Sequence, residues 1–173
     1  GGAAPPTSAA TNTPSKTPVA VGYGGAVASV DPDASAAGIE VLRKGGNAVD
    51  AAVATAAALG VTEPYSAGIG GGGYFVYYDA GSRSVHTIDG RETAPLSAGE
   101  DLFLENGQPI PFAEAVTSGL SVGTPGTPAT WGTALKSWGS KPLDKLLKPA
   151  ERLARDGFVV DETFRAQTAS NEA

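Results

Sequence analysis

The stretch from Ala48 to Leu59 is built mainly of alanine and valine, and it constrains the fold more than any other part of the chain. Small side chains on every face let a helix approach its neighbours closely, so this helix belongs deep in the packing and not at the surface. Its start is punctuated. Asn47 can cap the free N–H groups, and Asp50 three residues later places a carboxylate beside them. Gly60 is expected to end it.

The elements around it follow from local pattern. Val19 to Val30 is short, apolar and broken by glycine, which suits a strand opening the folded body. Asp31 can cap and Pro32 suits a first helical position. Ala34, Ala37, Val41 and Leu42 then recur at helical spacing up to Gly45 and Gly46. Tyr74 to Asp79 and Ser84 to Asp89 read as a β-hairpin closed by Asp79-Ala80-Gly81-Ser82.

Residues 96 to 118 give weak signals, mostly loop with a helical turn near Ala113. A short strand around Leu120 to Gly123 is expected next, then a helix from Gly126 to Trp138 with Thr124 as cap. Leu143, Leu146, Leu147, Ala150, Leu153 and Ala154 line one helical face. Glu151 and Arg155 are spaced for an i,i+4 pair, and Pro149 should kink or divide the helix. Asp161 caps a last helix. One hairpin with one or two further strands is too little for an independently closed sheet, which points to part of a larger fold.

Composition removes several classes of function. Eighteen acidic residues against 12 basic ones give a net charge of −6, and the basic residues are scattered, so nucleic acid is not an expected partner. No apolar run approaches the roughly 18 to 20 residues needed to cross a bilayer. The absence of cysteine excludes disulfides, thiolate metal sites and a cysteine nucleophile. Gly1 to Pro18, rich in Ala, Thr, Ser and Pro, reads as a flexible leader of the kind an exported or lipid-anchored protein carries after processing. The folded portion is then 19–173.

Most apparent motifs have a plain structural explanation. Gly68 to Gly73 contains G-x-G-x-x-G, yet a helix precedes it and a strand follows, the reverse of a dinucleotide site. Gly119 to Gly123 matches G-x-S-x-G, but the only histidine, His86, lies upstream, so Ser121 has no downstream base. His86 has no companions at metal-ligand spacing and reads as a strand residue. Asp31/Asp33 and Asp161/Glu162 sit at helix starts, where capping accounts for them. Arg91 follows a strand end in a loop, where its guanidinium could fork onto a carboxylate. On residues alone, a salt bridge with Glu92 is the plainer reading.

Five segments taken together change that balance: Ala28 to Pro32, Gly45 to Val53, Gly70 to Gly73, Asp89 to Pro95 and Gly123 to Thr127. In this order they resemble the large subunit of γ-glutamyltranspeptidases, from about Gly25 to Phe158. The resemblance implies an α+β fold, the αββα sandwich of N-terminal-nucleophile hydrolases, only partly contained in this chain. It implies a precursor that cleaves itself, so that a threonine becomes the N-terminal nucleophile of a small subunit, the partner of this chain, with that threonine's α-amino group as base.

The same resemblance implies glutathione or another γ-glutamyl compound as donor, and an amino acid, a peptide or water as acceptor. No cofactor or metal is implied, and no catalytic residue lies in this chain. Arg91 corresponds to the family's arginine for the α-carboxylate of the γ-glutamyl group, with Glu92 in support. Export, to a periplasmic, extracellular or lipid-anchored location, fits the leader. Two other expectations stay open: a glutaryl or cephalosporin acylase of the same superfamily, and a non-catalytic binding or assembly module.

Overall fold

A computed structural model describes residues 16–171; most of the leader, residues 1–15, lies outside the described residues. Helices α1 (Pro32–Arg43), α2 (Ala48–Thr62) and the single turn α3 (Pro64–Ala67) come first. Strands β1 (Gly73–Asp79) and β2 (Ser84–Gly90) follow, then the two-residue strands β3 (Leu104–Glu105) and β4 (Gln108–Pro109). The chain continues through α4 (Phe112–Thr117), a 3-10 turn (Gly119–Ser121), α5 (Thr127–Trp138), α6 (Leu143–Leu146), α7 (Lys148–Asp156) and α8 (Glu162–Ser170).

The alanine-rich α2 lies at the centre, as its composition requires. Ala51, Val53, Ala54, Ala57 and Ala58 are buried, and α1 meets them through Ala34, Ala37 and Val41. Leu146 and Ala150 close the other side. Gly38 allows this approach, because a Cβ there would overlap Thr55 Oγ1 and stand 3.0 Å from a Val27 methyl. Both helix starts carry the expected caps: Asp31 Oδ1 accepts from Ala34 N at 2.8 Å, while Asn47 and Asp50 form a reciprocal capping box.

Gly60 does not end α2, which runs two residues further to a cap at Glu63; a lone glycine weakens a helix without breaking it where packing favours continuation. Strand β1 pairs antiparallel with β2 from Gly73↔Gly90 to Asp79↔Ser84. The inner face of this hairpin stacks on Trp138, with ring centroids 6.4 Å from Phe75, 5.0 Å from Tyr77 and 5.3 Å from His86. His86 Nε2 lies 3.0 Å from Ser84 Oγ, a strand residue as read from the sequence. Tyr74, Val76, Tyr78 and Val85 on the other face are exposed.

Two expected strands and one expected cap are not formed. Val19 to Val30 forms no strand among the described residues; it bends at Tyr23 and Gly24, the latter at φ +89°, and no neighbouring strand offers a ladder. Leu120 to Gly123 is likewise unpaired, and Ser121 sits in the 3-10 turn, donating to the carbonyls of Val116 and Ser118. Thr124 does not cap α5, whose N-cap is Gly126; Thr124 instead bridges Thr93.

The last part of the chain follows the pattern more closely. Pro149 does divide its helix, into α6 and α7. Glu151 pairs with Lys148 at 2.7 Å and not with Arg155. Asp161 caps α8 through Phe164 N and also receives Lys16 Nζ at 2.6 Å, which ties the first described residues to the last helix. No helix among the described residues is long and apolar enough to cross a membrane.

Candidate functional site

Strand β2 ends at the buried Gly90 and delivers Arg91 and Glu92 into a loop. Two glycine-bearing segments far apart in sequence, one at Gly71 and Gly72 and one from Gly123 to Gly126, close around those two residues. At Gly72 a Cβ would overlap Gly90 O and lie 2.8 Å from Glu92 N; at Gly126 it would also overlap Gly90 O and stand 3.3 Å from Arg91 O. At Gly123 it would meet Glu92 Cβ at 2.8 Å, and at Gly90 itself it would strike Thr130 Oγ1. Glycine is needed here for close backbone approach, not for unusual torsions.

Hydrogen bonds fix the same arrangement. The Gly71 carbonyl accepts from Gly126 N at 3.1 Å, Thr127 N at 3.2 Å and Thr127 Oγ1 at 3.0 Å. It thereby takes up free N–H groups at the start of α5, a role the sequence assigned to Thr124. Thr124 N donates to Thr93 O at 2.8 Å, and Asp89 Oδ1 accepts from Arg91 N at 3.1 Å. The loop is held from both sides.

Within this frame the Arg91 side chain is 60% exposed, with its Nε 3.5 Å from Glu92 Oε2. That Glu92 oxygen is inaccessible to solvent and has no hydrogen-bond partner. The salt bridge read from the sequence is therefore present as a charge contact without a hydrogen bond. The guanidinium makes no hydrogen bond among the described residues, so its fork remains available to a carboxylate from outside the chain. Among the described residues no three His, Asp or Glu side chains are grouped to hold a metal ion.

Sequence motifs named Arg91 and Glu92 but not the groups that hold them. Thr127, Thr130 and the Gly71 carbonyl gain their roles only when residues 71, 90 and 126 meet. The family model for gamma-glutamyltranspeptidase matches residues 34–173. The chain belongs to this family. Among relatives, the glutathione hydrolase proenzyme of Bacillus subtilis is 49% identical over 147 residues, covering 84% of this chain and 25% of that protein.

The γ-glutamyltranspeptidase of Helicobacter pylori superposes with a TM-score of 0.82 at 37% identity, covering 88% of this chain and 44% of that one. A cephalosporin acylase of Bacillus halodurans superposes less closely, with a TM-score of 0.66 at 30% identity over 82% of this chain and 27% of that one. This chain spans about a quarter of the length of the curated glutathione hydrolase proenzymes it matches. Its fold is α+β, a portion of the N-terminal-nucleophile hydrolase sandwich.

Proposed function

We propose that this chain supplies the donor-carboxylate anchor of a γ-glutamyltranspeptidase, an enzyme that moves the γ-glutamyl group of glutathione and related amides to water, an amino acid or a peptide. The nucleophile in this reading is the N-terminal threonine of a small subunit, released from the same precursor. Arg91 grips the α-carboxylate of the donor, and Glu92 supports it. The observation that carries the proposal is an exposed guanidinium that touches Glu92 without a hydrogen bond, on a loop clamped by Gly72, Gly123 and Gly126. A loop whose backbone is already held can offer its guanidinium to a carboxylate without the loop first having to be ordered.

Residues 1–18 act as a tether after export in this reading, ahead of the folded portion 19–173. The test of the anchor is Arg91→Ala in the complete two-subunit enzyme, assayed with γ-glutamyl-p-nitroanilide. KM should rise about 30-fold, the factor for roughly 2 kcal/mol of charge-assisted hydrogen bonding. Arg91→Lys, which keeps the charge and loses the fork, should fall between. An unchanged KM in Arg91→Ala overturns the anchor. Intact mass showing no Thr-started fragment would favour a non-catalytic module, and turnover of glutaryl but not γ-glutamyl amides would favour an acylase.

A further inference from the structure

The start of α5 lacks a side-chain cap of its own. Its free donors, Gly126 N and Thr127 N, turn to the Gly71 carbonyl, and the Thr127 hydroxyl adds a third hydrogen bond to that oxygen at 3.0 Å. A carbonyl with two lone pairs that receives three donors is held in orientation more firmly than a single bond would hold it. Gly71 and Gly72 are in turn the backbone against which the loop rests. A Cβ on Gly71 would lie 3.3 Å from Glu92 Oε1, and one on Gly72 would lie 3.0 Å from Arg91 C and 2.8 Å from Glu92 N.

We propose that Thr127 is a positioning residue for the Arg91 anchor, acting through the Gly71 carbonyl to set where the Arg91-Glu92 backbone sits. This deepens the reading of Arg91 as the carboxylate anchor and rests on it. Thr127 is half-buried and touches the glycine loop, so its effect on substrate reaches it through packed backbone. Thr130 packs on Gly90 and donates to Gly126 O, whereas among the described residues nothing links Thr133 of the same helix to the loop. Thr133 bonds only within its own helix, to Ala129 O.

The experiment uses the complete two-subunit enzyme and γ-glutamyl-p-nitroanilide. Thr127→Val keeps the shape and removes the hydroxyl, and Thr127→Ala is made beside it so that one folded variant suffices. KM is expected to rise about 3- to 10-fold, the range for one lost hydrogen bond, with kcat changed less; Thr127→Ser should restore the wild-type KM. Thr133→Val should leave KM unchanged. In an Arg91→Ala background Thr127→Val should add no further rise, because the two act in one chain of contacts. A lower melting temperature with unchanged KM would make Thr127 a structural cap only and overturn the proposal, as would an undiminished effect in the Arg91→Ala background. If Arg91→Ala alone leaves KM unchanged, the anchor and this inference fall together; if it raises KM and the Thr127 variants do not, only this inference falls.

Discussion

Asp50→Ala should cost about 4 kcal/mol of folding stability, a large part of the 5 to 15 kcal/mol typical of a whole domain. The Asp50 carboxylate is fully buried and accepts four hydrogen bonds, from Asn47 N at 2.9 Å, Ser140 N at 2.9 Å, Ser140 Oγ at 2.5 Å and Lys141 N at 3.2 Å. It thus caps α2 and fastens the α5–α6 connection to it at the same time. Alanine would leave three backbone N–H groups and a hydroxyl without their acceptor, and each unmade bond costs more than a made one gains. Urea unfolding of wild type and variant measures the loss; a difference below about 1 kcal/mol would show that the connection finds other partners.

The same residue makes stability depend on pH in a definite direction. Burial by itself would raise the Asp50 pKa, but the Ser140 hydroxyl and the N–H groups of Asn47, Ser140 and Lys141 outweigh it and hold the pKa below the ordinary 3.8. A folded-state pKa below the unfolded one means that the charged form is favoured by folding. Its contribution is fully present above the unfolded value of about 3.9 and is lost as pH falls through the folded value. Asp50→Asn should therefore be less stable than wild type at neutral pH and should narrow that gap on acidification below about pH 4.

Asp50 also shows what a sequence makes legible. The Asn47/Asp50 capping box is a local event, written within four residues, and it is read directly from them. Its bonds to Ser140 and Lys141 depend on a contact across 90 positions and leave no local mark. Helices α1 and α2, the β1–β2 hairpin, the break at Pro149 and the cap at Asp161 were all open to local reading. The unpaired segments 19–30 and 120–123 were not, because an apolar extended run says that a strand is possible and not that a partner lies beside it. Val27 and Ser29 half-bury against the helices while Ala28 and Val30 stay exposed, so even the period-two alternation is present without a sheet.

One local signal lay hidden in weak surroundings. Asn106-Gly107 joins β3 to β4, with φ of 52° and 75°, the left-handed pair that a tight hairpin requires. The flanking residues lack clear alternation, and the segment reads as loop. At the candidate site the division is the same: Arg91 and Glu92 stand out in a motif, whereas the reason for its glycines is long-range.

That reason separates two glycines two positions apart in the same Gly-rich run. Gly70 has open space around it, with nothing within 4 Å of an added Cβ, and Gly70→Ala should change stability by less than about 0.5 kcal/mol. Gly72→Ala should cost about 3 kcal/mol, since its Cβ meets Gly90 O, Glu92 N and Arg91 C, all backbone atoms that no rotamer can move aside. The strain can be relieved only by pushing the glycine loop away from the end of β2, which shifts Arg91 from its place. If Arg91 anchors the donor as proposed, KM for γ-glutamyl-p-nitroanilide in the complete two-subunit protein should then rise for Gly72→Ala and stay put for Gly70→Ala. Equal behaviour of the two variants would mean that the run serves as a flexible connector and that the close approach at Gly72 does not set the position of Arg91.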